Sequence, residues 1–239
     1  MDIRPIAAVP AGVRWALAVA LALQLAWHHG RAAAPPQARA LPPAPALAAL
    51  RLAALGEPEA LSKALMLYLQ AYDDQDGLSL SWRQLDYARL EDWLDAALAL
   101  DPRGQYPLLA ASQVYSAAAD PAQVRRMLAF VERRYADDPR RRWPWLAHAA
   151  LLARHRLHDL PLARRYARAV RLQAGAAAPA WARELEAFIA EDMNELDSAR
   201  ALIGALLQSG QIGDPHELAF LAARLEAMAA RQKDTTVPP

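Results

Sequence analysis

Four apolar positions, Leu90, Val124, Ala163 and Ala199, recur along this chain at separations of 34, 39 and 36 residues. Each opens the second member of a pair of apolar, helix-forming stretches. The expected pairs are 60–71 with 82–99, 106–117 with 121–136, 143–157 with 160–172, and 179–192 with 196–208. A pair this short cannot bury its own apolar face, so successive pairs must stack. A last helix from Asp214 to about Ala230 has the place of a cap on the open end of such a stack. Helix starts are written in the capping residues, as in Asp120-Pro121-Ala122-Gln123 and Asp214-Pro215-His216-Glu217.

The residue usage supports helices only. Ala, Leu and Arg dominate, β-branched residues are few and no run alternates with period two. Hydrophobic residues at 55% suffice for a large core. With no cysteine, the chain has no disulfide, no thiol chemistry, no cysteine zinc site and no lipid-modified cysteine.

Residues 15–27 (WALAVALALQLAW) are uncharged and almost wholly apolar, and Arg4, Arg14 and the terminal amine precede them. That is the pattern of an export signal. The thirteen residues make about 20 Å of helix, and extending back to Ile6 gives about 22 residues with Arg14 inside. The segment 1–30 is therefore expected to be a signal anchor, a single membrane-spanning helix over residues 6–27. The alternative is a cleaved export signal. Either way, the charge flanking this segment puts residues 1–14 in the cytoplasm and the bulk of the chain outside it; with the Ala/Arg/Leu-rich composition, the expected place is the periplasmic side of a bacterial inner membrane. Residues 31–46 hold five prolines and read as an extended spacer. A helical domain then fills 47–231, and 232–239 reads as a disordered tail.

The helical part resembles the tetratricopeptide-repeat family. Leu108, Ala111, Ser112 and Tyr115 match the pattern of a first helix. Leu90-Leu94-Ala97-Pro102, Ala163-Ala167 and Ala199-Ile203-Leu206 match second helices in part. His158-Asp159-Leu160 and Asn194-Glu195-Leu196 stand where the family turns. Leu151, at the family's small position, and the acidic stretch inside the first pair depart from the pattern. The resemblance implies an all-α fold, a right-handed stack of about four antiparallel helix pairs. It also implies a peptide-binding groove lined by first helices, with Trp145, His148, Leu152, His155 and Arg156 in the third unit and Trp181, Glu184 and Phe188 in the fourth. The competing reading puts Trp145, Trp181 and Phe188 in the core between units.

Motifs for chemistry are weak. His155 and His158 have a metal-ligand spacing without a third ligand at a fixed offset. Asp73-Asp74-Gln75-Asp76-Gly77 resembles a calcium loop, but in that register Tyr72 and Arg83 fall on ligand positions. No metal, cofactor or catalytic set is expected, and the chain is not expected to be an enzyme; a helical envelope hydrolase is the remote alternative. Charge is uneven. Residues 125–171 carry thirteen arginines and a balance of +9, between −7 over 57–101 and −6 over 183–226. This basic middle reads either as a docking surface for an acidic protein or as salt bridges to neighbouring units. The expected role is a membrane-anchored protein-binding scaffold or assembly factor without nucleic acid as a partner. An alternative is an accessory subunit held in a membrane complex mainly by its anchor.

Overall fold

The computed structural model describes residues 10–29, 40–75, 78–79, 85–210 and 212–236. The chain divides into two compact units, one of residues 1–39 with 74–79 and one of 40–73 with 80–239. Among the described residues the regular elements are helices, apart from one two-residue antiparallel ladder, β1 (Asp74–Gln75) with β2 (Leu78–Ser79). That ladder falls in the acidic stretch; Asp76 and Gly77 lie outside the described residues.

In the first unit, helix α1 (Ala11–His29) is 19 residues long, about 28 Å. Trp15, Leu17, Leu21, Leu23, Leu25 and Trp27 are all exposed. Among the described residues, no helix is long and apolar enough to cross a membrane. The expected span over 6–27 reaches beyond the residues to which this applies. Arg14, Gln24, His28 and His29 fall within α1 and dilute its apolar run. Residues 6–9 lie outside the described residues.

The second unit comprises α2 (Leu47–Ala53), α3 (Pro58–Gln70), α4 (Tyr87–Leu100), α5 (Tyr106–Leu109), α6 (Pro121–Tyr135), α7 (Pro139–His155), α8 (Leu160–Ala169), α9 (Ala180–Asp192), α10 (Leu196–Gln208) and α11 (Pro215–Thr236). α5 continues through a π turn at Ala110–Val114, and α8 through another at Val170–Ala174. Helix α11 runs on to Thr236, into the segment read from sequence as a disordered tail. The end of the proline-rich segment is likewise not free. Leu41 is buried, Tyr72 donates to the Ala40 carbonyl at 2.7 Å, and Trp93 donates to Pro42 at 2.9 Å.

The recurring positions mark the same place in each second helix. Leu90, Val124, Ala163 and Ala199 are all at most 1% exposed. Each lies four residues after the N-cap position of its helix, held by Asp86, Asp120, Asp159 and Glu195. Asp86, Asp120 and Asp159 accept backbone N–H groups of their first turns, and Pro121 fills a position where no N–H is needed. The turns ahead of α8 and α10 are built alike, with His158 (φ 51°) and Asn194 (φ 59°) in the left-handed region. His and Asn enter that region more readily than most residues. Asp120→Ala removes the acceptor for the Ala122 N–H; it is expected to destabilise the protein by about 1 kcal/mol, read as a lower urea midpoint at unchanged slope.

Consecutive helices from α6 to α11 pack against one another. Alternate helices are also cross-linked. Glu91 of α4 accepts from Arg126 at 2.7 Å and pairs with Arg133, while Asp95 accepts from Arg134 at 2.7 Å, all three arginines lying on α6. Glu132 of α6 takes Arg165 of α8 through two bonds of 2.9 Å. Tyr135 donates to the Ala169 carbonyl at 3.0 Å. Partners advance together along each pair, so α4, α6 and α8 run in the same direction. One apolar core joins Leu41 to Ile189, and a smaller one formed by Ala187, Ala190, Ala199, Ile203, Leu206, Ile212, Leu221 and Met228 serves α9, α10 and α11.

Candidate functional site

Helix α7 carries four of the residues the resemblance assigns to a groove, Trp145, His148, Leu152 and His155, and Arg156 caps its end. Spacings of three and four residues put His148, Leu152 and His155 on one strip of its surface. His148 and Leu152 are half-buried and His155 is exposed. Burial holds the His148 pKa below the usual histidine value, so its ring is neutral at pH 7. Trp145 and Arg156 lean toward α5. The Trp145 indole donates to Gln105 Oε1 at 2.6 Å, and Arg156 donates to the Ala118 carbonyl. These two fasten one helix to another rather than offering a free contact.

The opposite flank of α7 meets α9. Trp143 and Trp181 pack edge to face with ring centroids 5.7 Å apart. Eleven residues further along each helix, Arg154 pairs with Asp192 at 2.5 Å. Both pairs are 38 residues apart in sequence, so α7 and α9 run parallel. Trp181 remains 47% exposed. At the Arg154 end, a cavity of about 420 Å³ is lined by Arg154, His155, His158, Leu160 and Asp192. Among the described residues, no three His, Asp or Glu side chains come together to hold a metal ion. Along the α7–α9 contact, the aromatic pair stands at one end and the histidine-lined hollow at the other.

Glu184 and Phe188 do not belong to that face. Helix α11 lies over them. Phe188 packs edge to face on Phe220 at 6.3 Å, with the Arg224 guanidinium 5.3 Å from the Phe188 ring centre, and Arg224 pairs with Glu191 at 2.8 Å. Glu184 is 3% exposed and its Oε1 has no hydrogen-bond partner. Burial, then the charge and hydrogen bond of Glu217, push its pKa up to about 7 against the pull of Arg183. Phe188 thus takes the inter-helix core role that sequence offered as the competing reading.

The arginine-rich middle is similarly occupied. Ten of its thirteen arginines sit in ion pairs with carboxylates of this chain. The acidic flanks supply several of those partners, including Glu91, Asp95, Glu186, Asp192 and Glu195. The uneven charge therefore maps onto links between units, not onto a bare basic surface.

Trp143, Arg154, His158 and Asp192 join the site although the groove expectation did not name them. Their signal was present in the sequence as the shared 38-residue offset of Trp143 from Trp181 and of Arg154 from Asp192. No family model matches the chain, and no curated protein or solved structure matches it significantly.

Proposed function

We propose that this chain is a helical-repeat scaffold that binds a segment of another protein on the α7–α9 face, outside the bacterial cytoplasmic membrane. The tetratricopeptide-like reading is supported by second helices that repeat their cap, their buried fourth residue and their links to the helix two places on. The observation that carries the binding role is Trp181. It is a large aromatic residue braced by Trp143 yet 47% exposed. Pre-positioned aromatics of this kind are the usual anchors of protein interfaces. The delivery role rests on α1. Its thirteen-residue apolar run has the length of the central part of an export signal, and its side chains are exposed.

The test is recovery of partners from gently solubilised membranes with the full chain and with Trp181→Ala and His148→Ala. A stoichiometric protein partner should appear, and Trp181→Ala should weaken its capture about thirtyfold, the effect of losing roughly 2 kcal/mol at an interface anchor. Helix content and thermal midpoint should stay near wild type. Capture that is indifferent to Trp181 would overturn the assignment of this face. A second reading, an accessory subunit held mainly by α1, is favoured by the same exposed apolar helix. Removing residues 1–30 separates the two, because only a subunit held by its helix loses its partner.

A further inference from the structure

Helices α9 and α11 are joined, like the other alternate helices, by neutral and opposite-charge pairs, and they carry one further contact of another kind. Neutral or opposite-charge pairs join α5 to α7, α7 to α9, α4 to α6 and α6 to α8. Between α9 and α11, Glu217 precedes Arg224 by seven residues as Glu184 precedes Glu191, the residue Arg224 pairs with, so the two carboxyl groups fall on facing turns, and Glu184 is almost fully buried with its Oε1 unpartnered. Like charges cannot both be held in such a place, so the contact needs a proton. Helix α11 is also lightly held for its length. It is the last helix, and its fully buried side chains among the described residues are Leu221 and Met228. Both belong to the smaller, alanine-rich core and not to the main one. Segments with few buried apolar contacts open locally at lower free energy than the rest of the fold.

We infer that α11 is a proton-dependent latch: Glu184 and Glu217 share a proton while α11 is docked, and α11 leaves α9 as that proton is lost, uncovering Glu184 and Phe188. The binding role of the uncovered surface rests on the function proposed above; the movement of α11 does not.

Other charges around the pair do not replace the proton. Arg183, next to Glu184 on α9, pulls toward ionisation but is outweighed by burial and Glu217. Arg164 and Arg171, from α8 and the turn after it, are engaged by Glu186, and Arg154 of α7 by Asp192. Arg224 of α11 is engaged by Glu191. Asp197 and Arg200 of α10 and His148 of α7 are not among the groups that shift Glu184. The sign follows from the raised carboxyl. The docked form holds the proton more tightly than the released form, whose carboxyl titrates in the ordinary range. Docking is therefore complete at acid pH and weakens as pH rises from that range through about 7.

The test is hydrogen–deuterium exchange of the full chain between pH 5 and pH 8.5, with each amide referred to its intrinsic rate. Protection of α11 amides should fall by about tenfold per pH unit until near pH 7 and then level off, while α6 amides keep their protection. Glu184→Gln should remove the pH dependence, and Glu217→Gln should reduce it. The second variant serves where the first disturbs the fold, which α6 protection reports. Constant α11 protection across the range, or an unchanged pH dependence in both variants, would overturn the latch. Partner capture provides a separate arm. If α11 opens but capture does not need Trp181, the latch stands and the binding face fails. If α11 stays shut and capture still needs Trp181, the latch fails and the face stands.

Discussion

Leu90→Ala is expected to lower the unfolding free energy by about 3 kcal/mol, among the largest effects of any single truncation in this chain. Leu90 is 0% exposed in α4, inside the main core with Leu94, Trp93 and Leu69. Removing its branched end leaves a void that close-packed neighbours fill only in part. For a chain of this size that is a fall of about 10 °C in thermal midpoint. The equivalent position two helix pairs later in the same core makes the converse test. Ala163 is also 0% exposed and already small. Ala163→Leu should therefore destabilise by overpacking, about 1–3 kcal/mol, although it adds apolar surface. Calorimetry or urea titration of both variants checks the pair. A neutral Leu90→Ala would mean that the recurring position is not a packing position, and the repeat register read from it would fall with it.

That register was the part of the fold most open to reading from sequence, because it depends on short-range chemistry. An aspartate or glutamate at the cap, a proline in the first turn and an apolar residue four places after the cap are local instructions. They survive in Asp120-Pro121 and Asp159-Leu160-Pro161 whatever the helices later pack against. The site was harder. Groove membership of Glu184 and Phe188 depends on whether another helix covers them, and a helical strip on α9 looks the same covered or bare. α11 decides that question through Phe220, Glu217 and Arg224, which follow Phe188, Glu184 and Glu191 by 32 or 33 residues. The N-terminal segment was harder for a different reason. Counting apolar residues from Ile6 joins two stretches across Pro10 and Arg14, whereas α1 begins at Ala11 and gains His28 and His29 at its other end. The proline-rich segment was read from composition alone. Composition does not reveal that the Leu41 side chain is buried while its carbonyl accepts from Arg89.

Arg142→Ala is expected to cost at least as much as Leu90→Ala, about 3 kcal/mol or more, although the residue is an arginine in the most basic stretch of the chain. Its side chain is only 4% exposed. From the first turn of α7 the guanidinium donates to the Arg134 carbonyl at the end of α6 and to the Pro102 carbonyl beyond α4, the latter at 2.8 Å. It also pairs with Asp137 at 3.0 Å. One planar group with several fixed donors thus ties together the ends of two helices and the start of a third. Truncation leaves those acceptors without their shared donor and opens a hole where the arginine stem was packed. Arg142→Lys should recover only part of the loss, since an ammonium cannot reproduce the fork. Arg168→Ala, by contrast, lies on an exposed position of α8 and should change stability by no more than about 0.5 kcal/mol. Urea unfolding of the three variants gives a clear decision. If Arg142→Ala and Arg168→Ala are equally mild, Arg142 is not an internal clip. The arginines of the middle units would then have to be read again as a surface presented to something outside the chain.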